Sequence, residues 1–137
     1  MKKTLERTRA NVSLVEIGKI RQHEETDPGH LSFMMSKIRQ DGVFTEPIVI
    51  DGGTMTVLDG HHRLNSCILL GLKKIPCLIV DYEDKGIRVV SRRPGIEVSK
   101  QRVREISETR CLFPCKTTKH FIPGRIKKIN VPLCELA

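Results

Sequence analysis

The chain has 137 residues, with 24 Lys and Arg against 16 Asp and Glu for a formal net charge of +8, a size that suits one domain around one core. The absence of Trp and the single Tyr leave almost no aromatic platform on which single-stranded nucleic acid could stack. No apolar run reaches the roughly 20 residues of a membrane span, and no signal-peptide core follows the Lys-rich start, so a cytoplasmic location is expected.

Residues 1–10 are polar and charged and read as a flexible tail. Ser13–Ile17 alternates as a short strand, and a polar loop then runs to Asp27-Pro28. Asp27 is a fitting N-cap with Pro28 at the first helical position. Leu31, Met34, Met35 and Ile38 recur at helical spacing, and Gly42 suits a left-handed cap. Pro47–Asp51 and Met55–Asp59 flank Gly52-Gly53, a hairpin signal. A second helix is predicted from about His61 to Leu70, with Leu64, Cys67 and Ile68 inward and Gly71 closing it. Ile75–Tyr82 and Ile87–Ser91 read as strands. Ser99 caps a predicted third helix through about Ser107 that buries Val103 and Ile106. A loop, Cys111–Lys119, precedes a tail with a short extended stretch at Ile129–Val131. The sum is an α+β pattern: a small mixed sheet, about three helices, and neither a βαβ series nor a Gly-x-Gly-x-x-Gly fingerprint.

Charge is unevenly spread. Residues 1–84 carry 11 basic and 12 acidic side chains, whereas residues 85–137 carry 13 and 4. Such a basic half attracts nucleic acid, but equally nucleotides and phosphorylated metabolites. The five cysteines are an odd number without a disulfide spacing. Cys67 and Cys77 fall in apolar segments and read as small core residues. Cys111, Cys115 and His120 lack the fourth ligand that a structural zinc site requires.

Three polar clusters stand out. At Asp59-Gly-His-His-Arg63 a predicted strand turns into a helix. Gly60 lets the backbone approach a ligand closely, the helix start offers unpaired amides, and Arg63 and the imidazoles add donors for phosphate oxygens. Asp59 could hold a metal ion. Lys116, Thr117, Thr118, Lys119 and His120 form a second group suited to a polyphosphate. The loop from Arg21 to Asp27 carries His23 and the acids Glu24, Glu25 and Asp27. It could bind a divalent cation or supply a general base, or simply favour the N-terminus of the following helix.

Together the three clusters resemble the ParB/sulfiredoxin superfamily, and within it the free serine kinases, over most of residues 12–137. That group has a His-Glu pair near the start, Asp-Gly-His-His-Arg in the middle and Lys-Thr-Thr-Arg-His near the end. The resemblance implies a single nucleotide-binding domain over residues 1–137 that uses ADP or ATP with Mg²⁺ to phosphorylate free L-serine. Glu24 would then be the general base and Asp59 the second essential acid, next to the metal. Gly60, His61, His62 and Arg63 would cradle the phosphates, and Lys116, Thr117, Thr118, Lys119 and His120 would complete the pocket. Lys119 stands where Arg is usual, and Arg92 falls near an aromatic position of some relatives, which leaves the acceptor open. His61 occupies the position of the sulfiredoxin cysteine, which argues against that chemistry. The alternative is a ParB-like module binding CTP and DNA, in keeping with the basic C-terminal half.

Overall fold

The computed structural model describes residues 12–109 and 111–137; the tail expected over residues 1–10 lies outside them. The central sheet has four strands: β1 (Val12–Glu16), β3 (Ile48–Asp51), β4 (Val57–Asp59) and β5 (Lys74–Val80). Their order is β1-β5-β3-β4. β3 lies parallel to β5, while the β1–β5 and β3–β4 pairs are antiparallel. Two short ribbons flank the sheet. One pairs β2 (Val43–Phe44) with β8 (Val131–Pro132), the other β6 (Arg88–Ser91) with β7 (Thr118–Phe121). The helices are α1 (Pro28–Asp41), α2 (His61–Leu69) and α3 (Lys100–Ser107). The architecture is α+β with a small mixed sheet, as the sequence pattern indicates.

Both faces of the sheet are covered, and this explains why its strands read as unbroken apolar runs. Ile48, Ile50, Val57, Ile75 and Cys77 join Ile38, Leu64 and Cys67 from α1 and α2 on one side. Val49, Leu58 and Leu78, pointing the other way by strand alternation, meet Val103 and Ile106 of α3 together with Tyr82 and Phe113. Cys67 and Cys77 are fully buried, and desolvation pushes each thiol up to about 12. They are packing groups.

Local signals place the helix ends. The Asp27 carboxylate accepts the His30 N–H at 2.8 Å, and Gly42 closes α1 with φ of 70°. Ser99 accepts the Arg102 N–H at 3.0 Å to start α3. Three expectations are corrected. Ile68 is 42% exposed rather than inward, because the buried face of the short α2 is formed by His61, Leu64, Ser66 and Cys67. Met55, expected at the start of the second hairpin strand, instead ends the turn that begins at Gly52, with φ of 60°, and β4 starts at Val57. Thr118 and Lys119 belong to β7 rather than to a loop; Thr118 and His120 face inward while Lys119 and Phe121 face out. An inward face made of polar residues gives no hydrophobic alternation to read.

Asp51 ends β3 fully buried and accepts hydrogen bonds from Gly53 N–H (2.9 Å), the Thr54 hydroxyl (2.7 Å) and Arg104 Nε (2.8 Å). Burial pushes its carboxyl up, but these bonds, led by Arg104, outweigh burial and hold it below the ordinary value. Its stabilising contribution is therefore complete above the unfolded carboxyl value and is lost as pH falls through the lower folded one. Arg104→Met should cost about 3 kcal/mol at pH 7, since it strands a buried charge. Urea titration of Arg104→Met and of Asp51→Asn/Arg104→Met should show the double variant recovering part of that loss.

Candidate active site

The turn after β4 is set by one residue. Gly60 has φ of 111°, and a Cβ there would sit 2.5 Å from Ile48 Cγ2. Only glycine meets both conditions without strain. The first intrahelical amide bond of α2 runs from Leu64 N–H to the Gly60 carbonyl at 2.8 Å. The amides of His61, His62 and Arg63 therefore precede the helical ladder, at its positive end. They border a cleft of about 770 Å³ that is also lined by Glu24, Asp59, Arg92, Lys116, Thr118, Lys119, His120 and Arg125.

Glu24 reaches this cleft through backbone pairing. Phe113 N–H donates to the His23 carbonyl (2.9 Å) and Glu25 N–H to the Phe113 carbonyl (2.8 Å), so residues 23–25 lie alongside Phe113. The buried Glu24 carboxylate accepts on Oε1 from Thr117 N–H and Thr118 N–H, both at 2.8 Å, and from the Thr118 hydroxyl at 3.2 Å. Oε2 makes no hydrogen bond among the described residues. Two arginines hold the other side of the same loop. Arg92 donates through Nε and Nη2 to the Thr118 carbonyl, and Arg93 likewise to the Cys115 carbonyl. With its carbonyls clamped outward, the loop turns its amides onto Glu24, and Lys116 takes φ of 56° at the bend.

The two histidines of the turn do more than face the cleft. His61 Nε2 accepts the His23 N–H (3.2 Å), and His62 Nε2 accepts the Asp27 N–H (2.9 Å). Both imidazoles thus tie the Glu24 segment to α2 and carry their proton, when neutral, on Nδ1. Behind Glu24, His23 Nε2 lies 3.0 Å from the Thr118 hydroxyl, and His120 Nε2 lies 2.8 Å from the Tyr82 hydroxyl. The His23 ring stands edge-on to those of His61 and His120, with centroids 4.5 and 5.9 Å away. Burial, with His120 adding to it, lowers His23 to about 3. Burial also lowers His120 to about 4, although Asp59 works against the shift, and holds His61 well below its ordinary value. The three are neutral imidazoles at neutral pH.

On the opposite wall the charges form a ring. Arg125 pairs with Asp59 through Nη1 and lies 3.4 Å from Glu46 through Nη2, while Arg63 lies 3.5 Å from Glu46 and 3.9 Å from Asp59. Burial pushes the Asp59 carboxyl up, but the Arg125 hydrogen bond and the Arg63 charge outweigh it and hold the group below the ordinary carboxylate value. Arg125, Glu46 and Arg93 carry no motif in the sequence and emerge only here. The Pro123-Gly124 turn before Arg125, with Gly124 at φ of 67°, was the one available signal.

Glu24, the Asp59–Arg63 turn and the 116–120 group thus meet around one cleft, either lining it or, like Thr117, holding Glu24 in place. Glu25 and Asp27, the other acids of the first loop, are exposed and lie outside its lining, and Asp27 caps α1 instead. The zinc grouping is not assembled either: Cys111 is exposed while His120 is buried, and no set of three or more His, Cys, Asp or Glu among the described residues could hold a metal. Asp59 keeps Oδ1 without a hydrogen bond among those residues. One carboxylate fits Mg²⁺, which is commonly held by one or two carboxylates together with substrate phosphates and water. No helix among the described residues is long and apolar enough to cross a membrane.

Comparison with known proteins shows the family and the fold. The ParB N-terminal domain family model matches residues 1–93, and the chain belongs to that family. An ATP-dependent L-serine kinase of Staphylothermus marinus is 38% identical over 87 residues, 61% of this chain and 34% of that protein. An ADP-dependent L-serine kinase of Thermococcus kodakarensis is 28% identical over 87 residues, 61% and 36% of the two chains. The matched segment therefore spans about a third of each relative. The solved structure of a free serine kinase in complex with AMP superposes with a TM-score of 0.83 at 17% identity, covering 93% of this chain and 94% of that one. At that identity the likeness is one of fold.

The buried histidines impose a pH dependence on folding. Below about 6.5 the unfolded chain takes up protons that folded His23, His61 and His120 refuse, so stability falls as pH drops from there toward the folded values near 4 and 3. Each contributes up to about 1.4 kcal/mol per pH unit in that window. Urea unfolding at pH 7, 6 and 5 should show this progressive loss, and NMR titration of the ring carbons should find His23 and His120 still neutral at pH 5. A midpoint near 6.5 for either would contradict the packing described.

Proposed function

We propose that this domain moves the terminal phosphoryl group of ADP or ATP to the hydroxyl of free L-serine, yielding O-phospho-L-serine. The observation that carries the reading is the Glu24 carboxylate: three donors hold Oε1, and among the described residues Oε2 has no hydrogen bond, in the cleft that the Gly60 turn borders. Kinases of both donor types match the chain over 87 residues each, which supports the reaction class and leaves the choice of ADP or ATP to experiment.

The residues divide the work of an in-line transfer. The phosphates sit on the amides of His61, His62 and Arg63 and among the cationic side chains of Lys116 and Lys119. Asp59 would hold Mg²⁺, which when bound would offset charge on the phosphate oxygens. Serine lies with its hydroxyl against Glu24 Oε2. As its oxygen forms the new bond to phosphorus, the bond from phosphorus to the bridging oxygen of the nucleotide breaks and Glu24 takes the hydroxyl proton. The leaving nucleotide keeps the electron pair. Little covalent chemistry is asked of the protein; alignment and charge placement do most of it. His61 and His62 serve through position, since both fix the backbone that carries Glu24.

Glu24→Gln keeps an acceptor at Oε1 for the same three donors and removes the proton acceptor. Nucleotide affinity should stay within about twofold while turnover falls about 10²–10⁴-fold, the usual contribution of a general base. Phosphorus NMR with Mg²⁺, ADP or ATP, and a panel of hydroxylated amino acids reads this directly. A phosphomonoester signal with serine is the expected product. Consumption of CTP instead would favour the nucleotide-and-DNA module, and undiminished turnover in Glu24→Gln would remove Glu24 from the chemistry.

A further inference from the structure

The ring of Asp59, Arg125, Glu46 and Arg63 is balanced in charge yet incompletely satisfied. Arg125 is only 12% exposed and spends Nη1 on Asp59 and Nη2 on Glu46, but its Nε is buried without a partner among the described residues. Arg63, 16% exposed, makes the reciprocal contacts, and its Nε is likewise buried without a partner among those residues. Two guanidinium groups thus lean on the same Asp59 oxygen, Oδ2. Asp59, Arg63 and Arg125 all line the cleft.

We propose that Arg125 is the resident counter-ion of Asp59 and exchanges that carboxylate for polyphosphate oxygens, so that a divalent cation and a nucleotide enter the cleft as a coupled pair. The inference rests on the phosphotransferase reading for the identity of the anion. A cation arriving alone at Asp59 meets the charge of Arg125 beside the same carboxylate. Displacing that guanidinium, with Glu46 already shared with Arg63, leaves a buried charge short of acceptors, a costly outcome. A cation arriving with a polyphosphate replaces Arg125 at Asp59 while the phosphate oxygens supply acceptors for the freed donors, the unpartnered Nε among them. The number of ion pairs is conserved, and only the partners change. Because binding linkage is reciprocal, a nucleotide must tighten the cation by the factor by which the cation tightens the nucleotide.

The probes are Mn²⁺ alone, followed by the free-ion signal in electron paramagnetic resonance, and metal-free ADP, followed by calorimetry in EDTA. Arg125→Met should bind Mn²⁺ alone at least fivefold more tightly than wild type and metal-free ADP at least fivefold more weakly. Arg125→Lys, which keeps the charge but loses the fork, should fall between them; it carries the test alone if the methionine variant fails to fold. The two affinities must move in opposite directions. Loss of both together, or no change in either, overturns the proposal, because a merely structural arginine would give one of those results. Wild-type protein that binds ADP but forms no phosphoserine would sink the kinase reading and leave this exchange standing.

Discussion

The contact between the Glu24 carboxylate and the amides of Thr117 and Thr118 joins segments 93 and 94 residues apart and organises the site around it. A buried carboxylate is tolerated only when its charge is met by donors, so the acid, the loop and the backbone beneath them must be assembled together. Each neighbour contributes to that assembly. His61 and His62 pin the backbone on the Glu24 side, Phe113 pairs with it, and Arg92 and Arg93 pull the opposing loop into shape through its carbonyls. The donors converge on Oε1, while Oε2 makes no hydrogen bond among the described residues.

The electrostatics have two sides with different logic. Behind Glu24, His23, His61 and His120 are packed closely enough that none ionises readily; they supply shape and directional hydrogen bonds without adding charge beside the Glu24 carboxylate. Across the cleft, Asp59 and Glu46 are answered by two guanidinium groups. Lys116 and Lys119 are drawn into no ion pair among the described residues, so uncompensated positive charge sits on the loop that also carries the Glu24 anchors.

Fold and site differ in how far they could be read in advance. The helix caps at Asp27, Gly42 and Ser99 were legible because capping is local: a side chain and an amide three residues on settle it. The same holds for the turn at Gly60, where a glycine before a run of polar residues marks the bend. The β6–β7 ribbon was harder, since β7 buries Thr118 and His120 and hydropathy marks neither as inward. Arg92 drew attention through the resemblance as a residue bearing on the acceptor, whereas in the fold its guanidinium grips a carbonyl. Arg93 and Arg125 were invisible, because a lone arginine in a basic region reads as solvated surface until a carbonyl or carboxylate is seen against it.

Residue types and short spacings were thus enough to indicate the element pattern, the glycine turn that opens α2 and the acidic residue that lines the same cleft. They act over one or two helical turns, and the chain carries that information in order. Which side chains meet across the cleft was settled by long-range pairing: β3 beside β5, Phe113 beside Glu24, and Arg125 against Asp59. Those contacts join parts of the chain far apart in order, and their energies arise only once both sheet faces are covered and water has left the space between them.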